Sequence, residues 1–384
     1  MPKRRNTVTF NPNFFYRWGG RSGKPLACMA NPRRKRQPMT HISTGVGTPV
    51  SSPDHINSLF YDFFRARSQT LQDAVDLGNA FLEAHPAPRL QTYQRELLEC
   101  PILEREVGDA ITCLKSGKSP GPDGLTADYY KILKTEICPV LTTMFNDINI
   151  SRNPIDSFNA ARTILIPKPV NPLTTCLPIA QSLFLTPIIN FSKILTSRLQ
   201  TFLPDLLTHH QLGFVHGQHS VVGIRQAVVA VLGACSVPRG SHLALLSLDL
   251  EQAFDSVSWS HLLRILHHRC FGHVFTDFIH NITRYGQDSP YFLLGRGVRQ
   301  GCPLSPLLFD IALDPLLRTI KHSLAFRGIS VEEVQLKVSA FADDLLLFTE
   351  NLPVALPSLF RLLYQFQMSR GYGNIGLNPR LLPS

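Results

Sequence analysis

The stretch Leu336-Lys-Val-Ser-Ala-Phe-Ala-Asp-Asp-Leu-Leu-Leu-Phe-Thr349 contains two short apolar runs that are separated only by the acidic pair Asp343 and Asp344. This layout predicts a tight β-hairpin with the acidic pair at its turn. Upstream, the run His242–Leu250 is mostly Leu and Ala, which is typical of a strand buried on both faces, and Asp249 lies near its end. Two helical patterns separate this strand from the hairpin. The order strand, helix, helix, hairpin predicts an α+β fold with helices behind one sheet.

The three acidic residues are the candidate chemical centre. An acidic pair at a turn is ambiguous, because Asp is favoured in turns for local hydrogen bonding. Asp249 changes the interpretation, since a carboxylate at the end of a buried strand is costly unless it faces solvent or a cation. If the hairpin lies beside that strand, Asp249 and Asp343 converge, with Asp344 close by. Such a cluster suits Mg²⁺, and two ions would support phosphoryl transfer, which indicates nucleotidyl-transfer chemistry.

Two further features fit this chemistry, each with a plain alternative. Phe254 lies five residues after Asp249, where its ring could press against a sugar and exclude a 2′-hydroxyl. It could equally be a core aromatic at the start of a helix. The segment Gly297–Phe309 places a glycine-bearing turn before an apolar helix, which would let the backbone approach a nucleotide closely. The alternative is an ordinary helix start.

Periodicity predicts the remaining elements. Residues 54–116 have helical patterns, and Tyr129–Ile148 is predicted to be one helix. Thr163–Pro167 is predicted to be a short strand that ends at a proline. Apolar residues recur at helical intervals over Ile188–Phe202, and we expect Arg198 to lie off that apolar stripe.

The charge of the chain is concentrated at one end. Ten of its 38 Lys and Arg residues precede the first acidic residue, Asp54, and the formal net charge is +10. The other 28 basic residues are balanced by 28 acidic ones, so the body of the chain is neutral. We expect residues 1–53 to form a disordered basic tail. Within it, Arg33-Arg34-Lys35-Arg36 is either a nuclear-import or nucleic-acid-binding patch or a solvated charge run.

Composition argues against several classes of protein. The chain is 44% hydrophobic, yet no apolar run reaches the roughly 18 residues of a membrane span. No apolar segment follows the N-terminal cations, so a secretory signal is not expected. The eight cysteines form no Cys-x-x-Cys pair, which predicts reduced thiols in the nucleus or cytoplasm and no Cys/His metal centre. The loop Lys115–Gly124 lacks Walker A spacing, so an NTPase is not supported.

Six ordered sequence blocks carry a family resemblance over about residues 90–365. The chain resembles the reverse transcriptases of non-LTR retrotransposons of the LINE type. Three blocks are similar to the palm blocks of reverse transcriptases, and three upstream blocks follow the order of the LINE type. The blocks are Leu248–Trp259, Arg299–Pro306 and Phe341–Asp344, and upstream Lys118–Gly124, Leu165–Pro169 and Gln211–Gly217.

The resemblance implies a right-hand polymerase that makes DNA on an RNA template from a DNA primer and dNTPs. It implies two Mg²⁺ ions, with Mn²⁺ as an alternative. It does not predict an oligomeric state. By matching position, the resemblance makes Asp249, Asp343 and Asp344 the catalytic carboxylates that bind the metal ions. It makes Phe254 the sugar gate. It also implies that Gln300 and Gly301 border the nucleotide and template and that Lys168 approaches phosphate.

The expected domains follow from the same blocks. They are a basic tail (1–53), a helical N-terminal extension (54–115), fingers (116–240), a palm (241–365) and a degenerate C-terminal end (366–384), with the thumb lacking.

Departures from the family pattern lead us to expect a truncated element copy. Leu177 stands where the family usually has Arg, and Gln218 replaces another Arg. No endonuclease-like segment precedes residue 90. Two alternatives to an active enzyme of this family therefore stay open: an inactive nucleic-acid-binding remnant, and another palm polymerase such as a group II intron maturase.

Overall fold

The computed structural model describes residues 50–68, 75–118, 120, 124–151, 162–166, 179–183, 186–234, 244–250, 253–283, 296–298, 301–331, 334–370 and 377–381. The chain divides into two compact units. One comprises residues 1–57 and 173–176, of which only residues 50–57 are described. The other comprises residues 58–172 and 177–384.

The N-terminal half of the described chain is mainly helical. Its helices are α1 (Pro53–Ser68), α2 (Val75–Ala84), α3 (Thr92–Glu99), α4 (Glu104–Thr112), α5 (Ala127–Ile132), α6 (Lys134–Ser151), α7 (Thr186–Gln200), α8 (Leu203–Leu206) and α9 (Ser220–Ala234). The single helix predicted over Tyr129–Ile148 is wrong, because α5 ends at Ile132 and the next residue, Leu133, has a ψ of 28°, which is outside the helical region. Thr126 caps α5 by accepting a hydrogen bond from the backbone N–H of Tyr129.

Arg198 on α7 is buried, against the prediction that it lies off the apolar stripe. Only 6% of the residue is exposed. Its guanidinium donates to both carboxylate oxygens of Glu106 on α4, at 2.7 and 2.8 Å. It also donates to the carbonyls of Leu98, Cys100 and Pro101. A fully paired guanidinium can be buried at little cost, and here it joins α7 to α4 and to the loop before α4.

Six of the eight described strands follow α9. The strands are β1 (Arg162–Ile166), β2 (Ile179–Leu183), β3 (Ala244–Leu250), β4 (Ile329–Val331), β5 (Val334–Leu336), β6 (Val338–Phe341), β7 (Asp344–Thr349) and β8 (Leu377–Leu381). Four of them form an antiparallel sheet in the order β6-β7-β3-β8, which we call the central sheet. The pairs β1-β2 and β4-β5 are separate antiparallel ribbons.

Two details of the central sheet differ from the sequence expectations. The first strand of the hairpin begins at Val338, because Leu336 ends β5 and pairs with Ile329 instead. β8 pairs with β3, so the sheet includes residues 377–381, beyond the predicted end of the palm at residue 365.

The remaining helical segments follow β3 in the chain, and one of them packs on the central sheet at β6. They are a 3-10 helix (Ala253–Ser256), α10 (Trp259–His268), α11 (His273–Thr283), α12 (Ser305–His322) and α13 (Leu352–Ser369). α12 is almost wholly buried and packs against α10, α13, β6 and the 3-10 helix. This arrangement confirms the predicted α+β class. Among the described residues, no helix is long and apolar enough to cross a membrane.

Candidate active site

Asp249 and Asp344 lie directly opposite each other in the central sheet. β3 and β7 pair in antiparallel register, with Leu248 opposite Leu345 and Asp249 opposite Asp344. Residues opposed in this way project from the same face, with Cβ atoms about 4.5–5.5 Å apart. Both aspartates are exposed, while their neighbours Leu248 and Leu345 are buried on the other face. The hairpin therefore does lie beside the Asp249 strand, which was the condition for the acids to converge.

Asp343 occupies the turn that joins β6 to β7. Phe341 pairs with Asp344, so the two turn residues are Ala342 and Asp343. The predicted turn, Asp343 with Asp344, is displaced by one position because Asp344 is already the first residue of β7. Asp343 is half-buried, and its backbone carbonyl accepts a hydrogen bond from the N–H of Leu250 at 3.4 Å. All three acids thus lie at one end of the β7-β3 pair.

The electrostatics of Asp343 show that these acids influence one another. Burial raises the pKa of Asp343, a hydrogen bond from its own backbone partly opposes this, and the negative charges of Asp344 and Asp249 add smaller increases. Such a set of carboxylate oxygens suits a hard divalent cation, which would relieve the repulsion. Among the described residues, no group of three or more Asp, Glu, His or Cys side chains is arranged so that it could bind a metal ion. The chemistry of the donors fits a cation.

Phe254 lies in the 3-10 helix that follows β3. Its ring stacks on the Phe309 ring at a centroid distance of 4.8 Å and meets the edge of the Phe214 ring at 6.3 Å. The backbone N–H of Val298 donates to its carbonyl at 2.8 Å. Phe254 is nevertheless only partly buried. Phe254 therefore packs against other aromatic rings and keeps a partly accessible surface. Its role as a sugar gate stays a prediction.

Two glycines before α12, Gly297 and Gly301, have positive φ angles. Gly297 has φ +93°, and a Cβ there would lie 3.0 Å from the Asp255 carbonyl oxygen, so a side chain would press on the 3-10 helix. Gly301 is exposed and has φ +91°, a conformation that glycine adopts without strain. The predicted contact residues Gln300 and Lys168 lie outside the described residues.

Residues 210–212 lie beside the hairpin, a position that the sequence did not predict. The N–H of Leu212 donates to the carbonyl of Ala340, and the N–H of Ala340 donates to the carbonyl of His210, both at 2.8 Å. A parallel bridge therefore joins Gln211 to β6. The only sequence signal was the family block Gln211–Gly217, which did not indicate what the segment contacts.

Comparison with known proteins identifies the family. The profile described as reverse transcriptase (RNA-dependent DNA polymerase) matches residues 189–372, a range that includes all three acids. The chain is 27% identical to the transposon TX1 uncharacterized 149 kDa protein of Xenopus laevis over 83% of the chain and 24% of that protein.

Two relatives are Pol polyproteins of R2 retrotransposable elements. Identity is 30% to the R2DM protein of Drosophila melanogaster, over 65% of the chain and 23% of that protein. It is 30% to an R2 protein of Popillia japonica, over 71% of the chain and 38% of that protein. The matched regions thus span between about a quarter and two fifths of these relatives. As the sequence blocks predicted, the chain belongs to the reverse transcriptases of non-LTR retrotransposons.

Proposed function

We propose that this chain is the RNA-directed DNA polymerase part of a LINE-type retrotransposon protein. Its substrates would be an RNA template, a DNA primer and dNTPs. The observation that carries the proposal is the register that sets Asp249 opposite Asp344, with Asp343 at the adjoining turn, inside the region that matches reverse transcriptases. In this assignment the central sheet and its helices form the palm, and residues 116–240 form the fingers.

The reaction is nucleotidyl transfer. The primer 3′-hydroxyl oxygen forms a bond to the α-phosphorus of the dNTP, the bond from that phosphorus to the β-phosphate oxygen breaks, pyrophosphate leaves, and the hydroxyl proton passes to solvent. Bound at Asp249, Asp343 and Asp344, two Mg²⁺ ions, or Mn²⁺ in their place, would make the hydroxyl a better nucleophile and stabilise the leaving group's charge. The protein contributes the three carboxylates on a rigid sheet end.

Other residues would select and hold the substrate. Phe254, which is partly exposed and supported by the Phe309 ring, would press against the deoxyribose and exclude a 2′-hydroxyl. Gly301, together with Gln300, would border the nucleotide and template. Lys168 would approach the triphosphate from the fingers.

The chain would work where nucleic acid is available, in the nucleus as well as the cytoplasm. The cluster Arg33-Arg34-Lys35-Arg36 supports nuclear import as part of this proposal. The second candidate function is an inactive nucleic-acid-binding remnant. Leu177 and Gln218 favour it, since each stands where the family usually has an Arg.

Primer extension on an RNA template in Mg²⁺ tests the proposal. We expect the double variant Asp343→Asn with Asp344→Asn to lose activity by about 10³-fold or more, because metal-ion stabilisation is worth several kcal/mol. The matched control changes two exposed aspartates on helices α5 and α6, Asp128→Asn with Asp147→Asn, and should keep wild-type activity. A wild-type chain that binds primer–template but incorporates nothing would favour the remnant.

A further inference from the structure

The hairpin turn that carries Asp343 has a strained backbone. Ala342 has φ +57° and is 4% exposed. For a residue other than glycine, this conformation costs on the order of 1 kcal/mol and persists only where the surroundings enforce it. Phe214, in the segment beside the turn, has φ 56°. A contact outside the hairpin must therefore help to hold Ala342.

The side chain of Gln211 supplies such a contact. Gln211 is 1% exposed, and its Oε1 accepts hydrogen bonds from the backbone N–H groups of Ala342, at 3.2 Å, and Gly213, at 3.1 Å. Only an acceptor fits between two N–H donors, so the orientation of the amide is determined. Its Nε2 is buried without a hydrogen-bond partner among the described residues. Leaving that donor unpaired costs about 1–3 kcal/mol. The orientation of the amide is therefore explained by the two hydrogen bonds that its oxygen accepts.

The backbone of the same segment lies unusually close to the turn. A Cβ at Gly213 would lie 2.5 Å from the backbone nitrogen of Ala342 and 3.2 Å from its Cα. These are backbone atoms, which cannot swing aside as the end of a side chain can. Glycine at 213 is therefore required for Gln211 to reach Ala342.

The other end of the segment is anchored in a buried ionic network. Asp314 on α12 is fully buried, and its Oδ1 accepts from the backbone N–H of Thr208 at 2.7 Å. Its Oδ2 accepts from Arg269 and Arg318, and both guanidinium groups also donate to the carbonyl of Leu206. Residues 206–213, which we call the brace segment, are therefore attached to α12 at one end and to the hairpin at the other.

We propose that Gln211 is a positioning residue for polymerisation: its side-chain oxygen holds Ala342 and so fixes the turn that presents Asp343 beside Asp249. The inference rests on the proposed polymerase function. Gln211 does not touch substrate; it acts through the turn. A displacement of about 1 Å at a reacting group can reduce the rate about 10²-fold, so loss of this bond should act mainly on kcat.

The kinetic test compares three variants of the full chain in primer extension. Gln211→Met keeps the size of the side chain and removes the acceptor, Gln211→Glu keeps an acceptor oxygen, and Gln94→Met is the control. Gln94, on α3, is also a buried glutamine whose Oε1 accepts a hydrogen bond from a backbone N–H, that of Gln91 just before the helix, at 2.9 Å. We expect Gln211→Met to reduce kcat about 10- to 100-fold with KM for dNTP within about twofold of wild type. Gln211→Glu should recover most of kcat, and Gln94→Met should keep it.

Two kinetic results would overturn the proposal. One is a Gln211→Met variant that loses no more kcat than Gln94→Met. The other is a Gln211→Glu variant that is as impaired as Gln211→Met, since the acceptor would then not be what matters.

Hydrogen exchange provides a readout that does not depend on activity. The Ala342 amide should exchange faster in Gln211→Met than in wild type and be unchanged in Gln94→Met. Unchanged protection in Gln211→Met would show that the bond does not hold the turn and would overturn the proposal. An inactive wild-type chain would instead contradict the polymerase function, and the exchange result would still decide whether Gln211 holds the turn.

Discussion

At the scale of single residues, the candidate site concentrates features that reduce stability. Like charges face each other at Asp249 and Asp344, and the pKa of Asp343 is raised by burial and by both of them. Two of the three described non-glycine residues with positive φ, Phe214 and Ala342, lie beside these acids. Strain and repulsion of this kind cluster at functional sites, where the rest of the fold compensates for them.

Without a divalent ion, Asp343 should therefore destabilise the fold at neutral pH. An acid whose folded-state pKa is raised makes unfolding more favourable as pH rises above its ordinary value, 3.8. We expect Asp343→Asn to unfold at a higher temperature than wild type at pH 7 in chelator, with the difference fading as pH falls toward 4. Thermal unfolding from pH 4 to 8 measures this, with exposed Asp147→Asn as the control. A wild type more stable than Asp343→Asn at pH 7 would contradict it.

Phe254 makes a second prediction at this scale. In the proposed site, replacing its ring in Phe254→Val would open space beside the sugar, while the 3-10 helix keeps its hydrogen bond from Val298. We expect the preference for dNTP over rNTP, measured as the ratio of kcat/KM values, to fall about 10- to 100-fold. Small changes in the shape of a binding pocket typically change discrimination by about this factor. An unchanged ratio would leave Phe254 as a core aromatic only.

At the scale of elements, buried ionic bonds connect helices to the loops that the site depends on. Arg198 attaches α7 to α4 through Glu106, and Asp314 attaches α12 to the brace segment. Removing one member of a buried ion pair leaves an uncompensated charge, which costs about 3–5 kcal/mol. These bonds therefore stabilise particular connections between elements.

Asp314→Asn tests this. The change leaves the guanidinium of Arg269, which is 1% exposed, without its carboxylate, so we expect the free energy of unfolding to fall by about 3–5 kcal/mol. The control, Asp109→Asn, removes a helix-surface carboxylate from an exposed pair with Arg105 and should have little effect, as surface pairs contribute little. Urea unfolding compares the two variants. Equal losses would contradict the structural role of Asp314.

At the scale of the whole molecule, charge and chemistry are separated along the chain. The net charge of +10 comes from ten cations that all precede residue 50, outside the described part, while the rest of the chain has equal numbers of acidic and basic residues. The three acids of the proposed polymerase site lie in that balanced body. Non-specific attraction to nucleic acid should therefore depend strongly on the N-terminal residues.

Deleting residues 1–49 should weaken non-specific binding to nucleic acid and flatten its dependence on salt, because the slope scales with the number of phosphates neutralised. Binding measured between 50 and 200 mM salt would show the change. A chain in which the ten cations are replaced by glutamine separates charge from length and should behave like the deletion. An unchanged salt slope would mean that these residues do not engage nucleic acid.

The sequence by itself determined the family and the α+β class and singled out the three acids as candidates, because blocks such as Phe341–Asp344 are local and periodic apolar runs report strands and helices directly. Only the tertiary structure decided the register that sets Asp249 opposite Asp344, the one-position shift of the turn, the burial of Arg198 and the contact of Gln211 with Ala342. The physical reason is distance along the chain. Arg198 is 92 residues from Glu106, and Gln211 is 131 residues from Ala342, so those contacts depend on how elements pack, which no local pattern encodes.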